Sequence, residues 1–75
     1  MTKFRNSKVL GKFGENLRKQ RLLKDLSQEA LATKANVPVS QIGRIERGEI
    51  NTTISTACLL AKILDIPYSE LFNFK

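Results

Sequence analysis

The sequence predicts an all-α domain built from five short helices. Apolar residues recur at intervals of three or four along five segments, and residues that favour helix ends separate these segments. No segment alternates polar and apolar residues in the way that is typical of a strand. The chain has 75 residues, of which 41% are hydrophobic and 27% charged, so we expect a single domain spanning residues 1–75.

The first helix is predicted over about 9–24. Leu10, Phe13 and Leu17 are three and four residues apart, which places them on one face of a helix. The helix is preceded by residues 1–8, for which we predict a flexible basic arm.

Two further helices are predicted over about 28–35 and 38–46, joined by a tight turn. Ser27 is a favourable N-cap, because its hydroxyl accepts a hydrogen bond from a backbone N–H of the first turn. Asn36 tolerates the left-handed conformation that ends a helix, and Pro38 has a φ angle suited to the first turn of the next one.

The last two helices are predicted over 54–64 and about 68–72, after Thr53 as an N-cap and Pro67 as a helix start. Gly48 is expected to end the third helix. The apolar residues expected in the core from this part of the chain are Ile54, Ala57, Leu60, Ala61, Leu64, Leu71 and Phe72.

The positive charge is concentrated near the N-terminus. The net charge is +6, and residues 1–24 contain eight Lys and Arg residues but only one acidic residue, Glu15. Such a segment is typical of a protein that binds a polyanion, because Lys and Arg displace counterions from phosphates. A solvated helix face explains the charge equally well.

The composition excludes several classes of function. His is absent and Cys58 is the single cysteine, which excludes disulfide scaffolds, zinc fingers and Cys–His nucleophiles. Neither Asp25 nor Asp65 has a carboxylate partner at catalytic spacing, so we expect no enzyme activity, metal or cofactor. No apolar run of 18 residues and no leader peptide occur, so we expect a cytoplasmic protein without membrane contact.

Residues of about 27–47 fit a helix-turn-helix, with a short turn and a second helix whose outer surface is polar. A helical wheel places Ile42 and Ile45 on the buried side of this second helix. The residues that face away from the core on this wheel are Ser40, Gly43, Arg44 and Arg47. In double-stranded DNA, the major groove is about 12 Å wide and admits such a helix.

The stretch from Leu26 to Phe72, together with the segment FGENLRKQR, resembles the Cro and phage-repressor (XRE) helix-turn-helix family. The most specific pieces are Leu-Ser-Gln-Glu at 26–29, Ile-Glu-Arg-Gly at 45–48 and Ser-Glu-Leu-Phe at 69–72. The resemblance implies a compact five-helix, phage-repressor-like domain of bacterial or phage origin. It also implies a nucleoid-associated transcriptional regulator that occupies an operator in double-stranded DNA. That this operator is palindromic and bound by a homodimer is a hypothesis that rests on an apolar face of the fourth helix. Small controllers of restriction-modification operons and compact phage repressors are the most similar types.

The resemblance also implies which residues contact DNA. Arg binds guanine and Gln binds adenine, whereas Val packs on a thymine methyl. The implied base contacts are Val39, Ser40, Gln41 and Arg44. The implied phosphate contacts are Gln28, Arg47, Asn51, Thr52 and Thr53, and Gln28 is also implied to buttress the first residues of the recognition helix. We further predict phosphate contacts by Gly43, whose place on the outer face allows close approach to the DNA backbone, and by Lys12 and Arg18. The alternatives are a polar residue of the capping turn for Gln28 and local sequence drift for Gly43. Solvent exposure explains Arg18 equally well, and packing at the helix junction is an alternative role for Val39.

Two charged features accompany these contacts. Arg21 and Glu46 stand at positions that resemble those of an ion pair in this family. The resemblance implies that this pair joins the first helix to the recognition helix. Glu49 stands where the family frequently has a basic residue, and a carboxylate there repels a nearby phosphate.

The fourth helix has a second apolar face, formed by Leu59 and Ile63. With Tyr68 and Phe74, these residues form a predicted homodimer interface. The alternative is a wider monomer core that is covered by the N-terminal arm. A two-fold dimer places its recognition helices about 34 Å apart, which matches two half-sites one helical turn apart.

Two other functions remain open at this point. An antitoxin has the same DNA-binding domain, with its apolar surface covering a toxin protein. An adaptor or a basic membrane-surface protein uses the first helix instead.

Overall fold

Five α-helices make up the computed structural model, which describes residues 6–75. They are α1 (Ser7–Leu23), α2 (Gln28–Ala35), α3 (Val39–Glu46), α4 (Ile54–Leu64) and α5 (Tyr68–Leu71). No strand occurs in residues 6–75, so the all-α prediction is confirmed. Within the same residues, no helix combines the length and the apolar character needed to cross a membrane.

The helix α1 begins earlier than predicted. The side chain of Asn6 caps it by accepting a hydrogen bond from the backbone N–H of Val9 at 3.1 Å. Ser7 and Lys8 therefore belong to the helix and not to the arm predicted over 1–8. Asn6 is the N-cap itself, and the rest of that arm, residues 1–5, lies outside the described residues.

The predicted helix ends reflect local backbone chemistry. The hydroxyl of Ser27 accepts from the N–H of Ala30 at 2.9 Å, and that of Thr53 accepts from the N–H of Thr56 at 3.1 Å. Asn36 adopts the left-handed conformation with φ 57° after α2, as predicted. These caps satisfy backbone groups that have no partner inside a helix.

A single apolar core joins all five helices. α3 packs against α1 and α2, α4 packs against α2, and α5 packs between α1 and α4. The large side chains that are fully buried are Leu17, Leu31, Ile42, Ile45, Leu60, Leu64 and Leu71. The side-chain amide of Asn16, which donates to the carbonyl oxygens of Glu70 and Leu71 at 3.0 and 2.5 Å, ties α5 to α1.

Two residues predicted in the core are not buried there. Ile54 is 72% exposed, because it lies at the first position of α4 and at the edge of the apolar stripe. Phe72 is 43% exposed, and its ring lies 5.3 Å from the ring of Phe13 at the surface of the core. The prediction was therefore wrong for Ile54 and only partly right for Phe72.

Two glycines allow α1 and the end of α3 to approach each other closely. A Cβ atom on Gly14 would lie 2.5 Å from the carbonyl oxygen of Glu46, well inside the normal contact distance. Gly48 has φ +72°, and a Cβ atom on it would lie 2.8 Å from the Cα of Gly11. The end of α3 is therefore positioned on α1 by direct backbone packing.

Candidate nucleic-acid interface

The helices α2 and α3 form the helix-turn-helix that the sequence predicts. The chain leaves α2 through Asn36 in the left-handed region, and the N–H of Val37 donates to the carbonyl oxygen of Ala32 at 3.0 Å. Pro38 is extended, with φ −62° and ψ 144°, and stands directly before α3. This turn fixes the direction in which α3 leaves α2.

One side of α3 is exposed along its length. Ile42 and Ile45 are 0% and 2% exposed on the opposite side, as the helical wheel predicts. Burial of these two side chains prevents α3 from rotating about its axis. Of the four residues predicted to contact bases, three are exposed, namely Val39, Ser40 and Arg44. The fourth, Gln41, is partly buried.

The structure changes the interpretation of Gly43. The sequence places it on the exposed face, where it approaches a DNA backbone closely, but in the structure it is buried. The reason is the side chain of Arg47, one turn later, whose Nη1 lies 2.9 Å from where a Cβ of Gly43 would be. The prediction of an open Gly43 surface was wrong because a long side chain folds back over it.

A buried ion pair joins α1 to α3. Nε of Arg21 donates to Oε2 of Glu46 at 2.6 Å, and Nη2 donates to Oε1 at 3.1 Å. The two residues are 6% and 8% exposed. The pair is bidentate, which gives it both strength and a defined orientation.

Two further hydrogen bonds extend this ion pair to the start of α2. Nη1 of Arg21 donates to the carbonyl oxygen of Leu26 at 2.7 Å, and Nε2 of Gln28 donates to Oε1 of Glu46 at 3.0 Å. The network therefore fixes the side chain of Gln28, which the sequence predicts as a phosphate contact. Its bond to Glu46 was missed, because nothing in the local sequence pattern links residues 18 positions apart.

Several predicted phosphate contacts lie close together around this network. One surface depression is lined by Arg18, Arg21, Gln28, Glu46 and Arg47. Lys12 is partly buried on α1 and is not among these lining residues.

The loop between α3 and α4 contains three more predicted phosphate contacts. Asn51 and Thr53 are exposed, whereas Thr52 is partly buried. Its hydroxyl oxygen is buried and has no hydrogen-bond partner within residues 6–75. The hydroxyl of Thr53 is engaged by its capping role at α4.

An exposed ion pair links Arg47 to Glu49. Nε of Arg47 donates to Oε2 of Glu49 at 2.6 Å, and the two side chains are 59% and 50% exposed. The hydrogen bond from Arg47 holds the pKa of Glu49 below its ordinary value, and the charge of Arg44 acts in the same direction. The comparison with the family pattern indicates Glu49 only as a carboxylate that repels phosphate. The opposite charges two positions apart were a signal for this pairing.

The four residues of the predicted dimer surface differ in their exposure. Leu59 and Tyr68 are 42% and 57% exposed, whereas Ile63 is partly buried against the core. Phe74 packs within the chain, with its ring 6.4 Å from that of Phe13 in an edge-on arrangement, and lies near the start of α4. Tyr68 follows the other end of α4. The contribution of Phe74 to a dimer interface stays a prediction, and within the chain its ring contacts that of Phe13.

No cluster of three or more His, Cys, Asp or Glu side chains able to hold a metal ion is found in residues 6–75.

An all-α domain in which two helices joined by a tight turn expose one polar helix face is a helix-turn-helix protein. Residues 17–71 match the helix-turn-helix family model HTH_3, and the chain belongs to this family. The resemblance to XRE-type proteins is thereby confirmed.

The relatives of this chain include restriction-modification controllers. Control protein C.SmaI from Serratia marcescens is 42% identical over 59 residues, which are 79% of this chain and 70% of that protein. The controller protein C.AhdI from Aeromonas hydrophila is 39% identical and superposes with a TM-score of 0.80 over 88% of this chain and 98% of its own. The wild-type controller C.Esp1396I gives 34% identity and a TM-score of 0.77, over 85% and 87% of the two chains. The chain is therefore homologous to these controller proteins.

Proposed function

We propose that this protein is a sequence-specific, double-stranded DNA-binding transcriptional regulator of the restriction-modification controller type. The proposal includes a palindromic operator and a homodimer that acts on it in the cytoplasm. It is carried by the exposed side of α3, where Ser40 and Arg44 reach solvent while Ile42 and Ile45 anchor the helix. A helix held in this way fits the major groove, in which all four base pairs are distinguishable.

Base recognition is assigned to the exposed side of α3 and its flanks. The guanidinium of Arg44 matches the two acceptors of guanine, and the hydroxyl of Ser40 donates to or accepts from a base edge. Gln41 stands at the edge of this surface, where it reaches an adenine or the DNA backbone. Val39 is 44% exposed and supplies only an apolar contact, such as one with a thymine methyl group.

Phosphate binding is assigned to residues that border α3. Gln28 is oriented by Glu46 at the start of α2, and Arg18 and Arg47 line the same depression. Asn51, Thr52 and Thr53 precede α4, whose first backbone amides are available to a second phosphate, and Lys12 adds positive charge from α1. These contacts position the protein on any duplex, whereas base contacts select the sequence. Gly43 contributes to phosphate binding only when the side chain of Arg47 moves away from it.

A homodimer is proposed through the outer face of α4. Leu59 and Ile63 are one turn apart on this helix, and Leu59 and Tyr68 expose apolar surface to solvent. A two-fold axis at this face pairs each patch with its own copy. The two recognition helices then contact half-sites whose centres are about 34 Å apart.

Selection of bound duplexes from a random pool tests this function directly. We expect enrichment of an inverted repeat with half-site centres about 10 base pairs apart, because each protomer of a two-fold dimer reads one half-site.

Sedimentation of the DNA-free protein is expected to give a dimer at high micromolar concentration, and Leu59→Asp is expected to shift it to monomer.

The matched control for this variant is Leu23→Asp, because Leu23 is 67% exposed on α1 and lies outside the proposed interface. Enrichment of a single asymmetric half-site would contradict the palindromic operator, and a monomer at high concentration would contradict the homodimer. A pool without any enriched sequence would contradict sequence-specific binding itself.

A further inference from the structure

The side chain of Arg47 is held by contacts within its own chain. Its Nε donates to the carboxylate of Glu49 at 2.6 Å, and its Nη1 lies across the backbone of Gly43. A side chain at position 43 would collide with this guanidinium, so the glycine provides the room in which Arg47 lies. Both charged groups remain largely exposed, which leaves the pair open to competition by an external anion.

The carboxylate of Glu49 and a DNA phosphate have the same chemistry towards a guanidinium. Each offers anionic oxygens that accept charge-assisted hydrogen bonds from the planar nitrogen fork. Arg47 cannot donate from Nε to both groups, so a phosphate that takes this position displaces Glu49. The displaced carboxylate then stays near the phosphate with its charge, because only Gly48 separates the two residues in the chain.

We propose that Glu49 is an intramolecular competitor of DNA phosphate for Arg47 and thereby limits the affinity of this protein for every duplex. The inference rests on the proposed function, since it assumes that Arg47 contacts a phosphate. Together, Arg47 and Glu49 carry no net charge, so the pair adds little to the release of counterions on binding. The sequence selected by α3 is unaffected, because no base contact is involved.

The test compares duplex binding of the wild-type protein and Glu49→Gln between 50 and 200 mM salt. We expect Glu49→Gln to bind a selected site and a random duplex about 3- to 10-fold more tightly at 50 mM salt. The slope of log affinity against log salt is expected to steepen by about 0.9, the contribution of one phosphate contact. The gain should therefore shrink about 3.5-fold by 200 mM salt.

Glu70→Gln is the matched control, because it removes the same charge from α5, which packs on α1 and α4. In an Arg47→Ala background, Glu49→Gln is expected to give a clearly smaller gain than in the wild-type background, because only the repulsion between the carboxylate and the phosphate is then relieved. NMR titration of the free protein gives an independent reading: the pKa of Glu49 should rise towards its ordinary value in Arg47→Ala.

The failure of this inference is distinguishable from failure of the proposed function. If the wild-type protein binds duplexes but Glu49→Gln behaves like Glu70→Gln, the competition is refuted and DNA binding stands. A larger gain on the selected site than on the random duplex would also refute it, because a phosphate contact acts on all sequences alike. If the wild-type protein binds no duplex at all, the proposed function fails, and this inference fails with it.

Discussion

Glu46→Ala is expected to lower the free energy of unfolding by about 3–5 kcal/mol. The substitution leaves the buried guanidinium of Arg21 without its carboxylate and removes the acceptor of Gln28. The free energy of unfolding of a domain of this size is about 4–11 kcal/mol at 0.05–0.15 kcal/mol per residue, so the expected loss is a large part of its stability. Urea denaturation followed by circular dichroism measures the loss.

Glu49→Ala is the control, because it breaks an ion pair between exposed side chains with the same change of charge. Its stability is expected to remain close to that of the wild-type protein, since exposed ion pairs contribute little. Replacing both partners of the buried pair, as in Arg21→Met with Glu46→Leu, is expected to recover most of the lost stability. If Glu46→Ala is as stable as Glu49→Ala, the buried pair does not hold α1 and α3 together.

Gly14→Ala is expected to destabilise the fold by about 1–3 kcal/mol, although alanine is the better helix former. The added methyl group would lie 2.5 Å from the carbonyl oxygen of Glu46, and backbone atoms cannot move aside as a flexible side chain can. The helices α1 and α3 must therefore separate, which disturbs the buried ion pair as well. Thermal or urea denaturation is the appropriate measurement.

Gly11→Ala provides a control in the same helix. A Cβ atom on Gly11 has no neighbour within 4 Å among residues 6–75, so a change in helix propensity alone is considered and a gain of about 0.5–1 kcal/mol is expected. Opposite signs for the two variants would support close packing of α1 on α3. A gain in both would mean that α1 does not approach α3 as closely as the structure indicates.

Features with a local cause are predictable from this sequence. Ser27, Asn36 and Thr53 act at helix ends through their own side chains or backbone preferences, and the sequence identifies each of them. The spacing of Ile42 and Ile45 likewise predicts which side of α3 is buried, and hence which side is exposed.

Features that depend on distant packing are not predictable in this way. A helical wheel gives the direction of Gly43 but not the position of the Arg47 side chain that covers it. The contact of Gly14 with the end of α3 likewise follows from the crossing of two helices. The ion pair of Arg21 with a residue 25 positions later was expected only from family resemblance.

The exposed apolar surface is likewise predictable from the sequence only in part. Periodicity identifies Leu59 as outside the core stripe of α4, and the residue is indeed half-exposed. Periodicity does not indicate that Phe74 turns back onto Phe13, because the chain after α5 has no helical period. The course of such a terminal segment is set by the apolar surface that it meets.

The assignment of α3 as the helix that reads DNA sequence is tested by the affinity of Arg44→Ala for the selected operator, measured beside a random duplex at one fixed salt concentration. We expect a loss of about 1–3 kcal/mol on the operator, the discrimination expected from one bidentate base contact, and a much smaller loss on the random duplex. Lys62→Ala removes the same charge from an exposed position on α4, and it should change the affinity for the operator and for the random duplex equally. Equal losses on operator and random duplex for Arg44→Ala would contradict the assignment of α3 as the helix that reads DNA sequence.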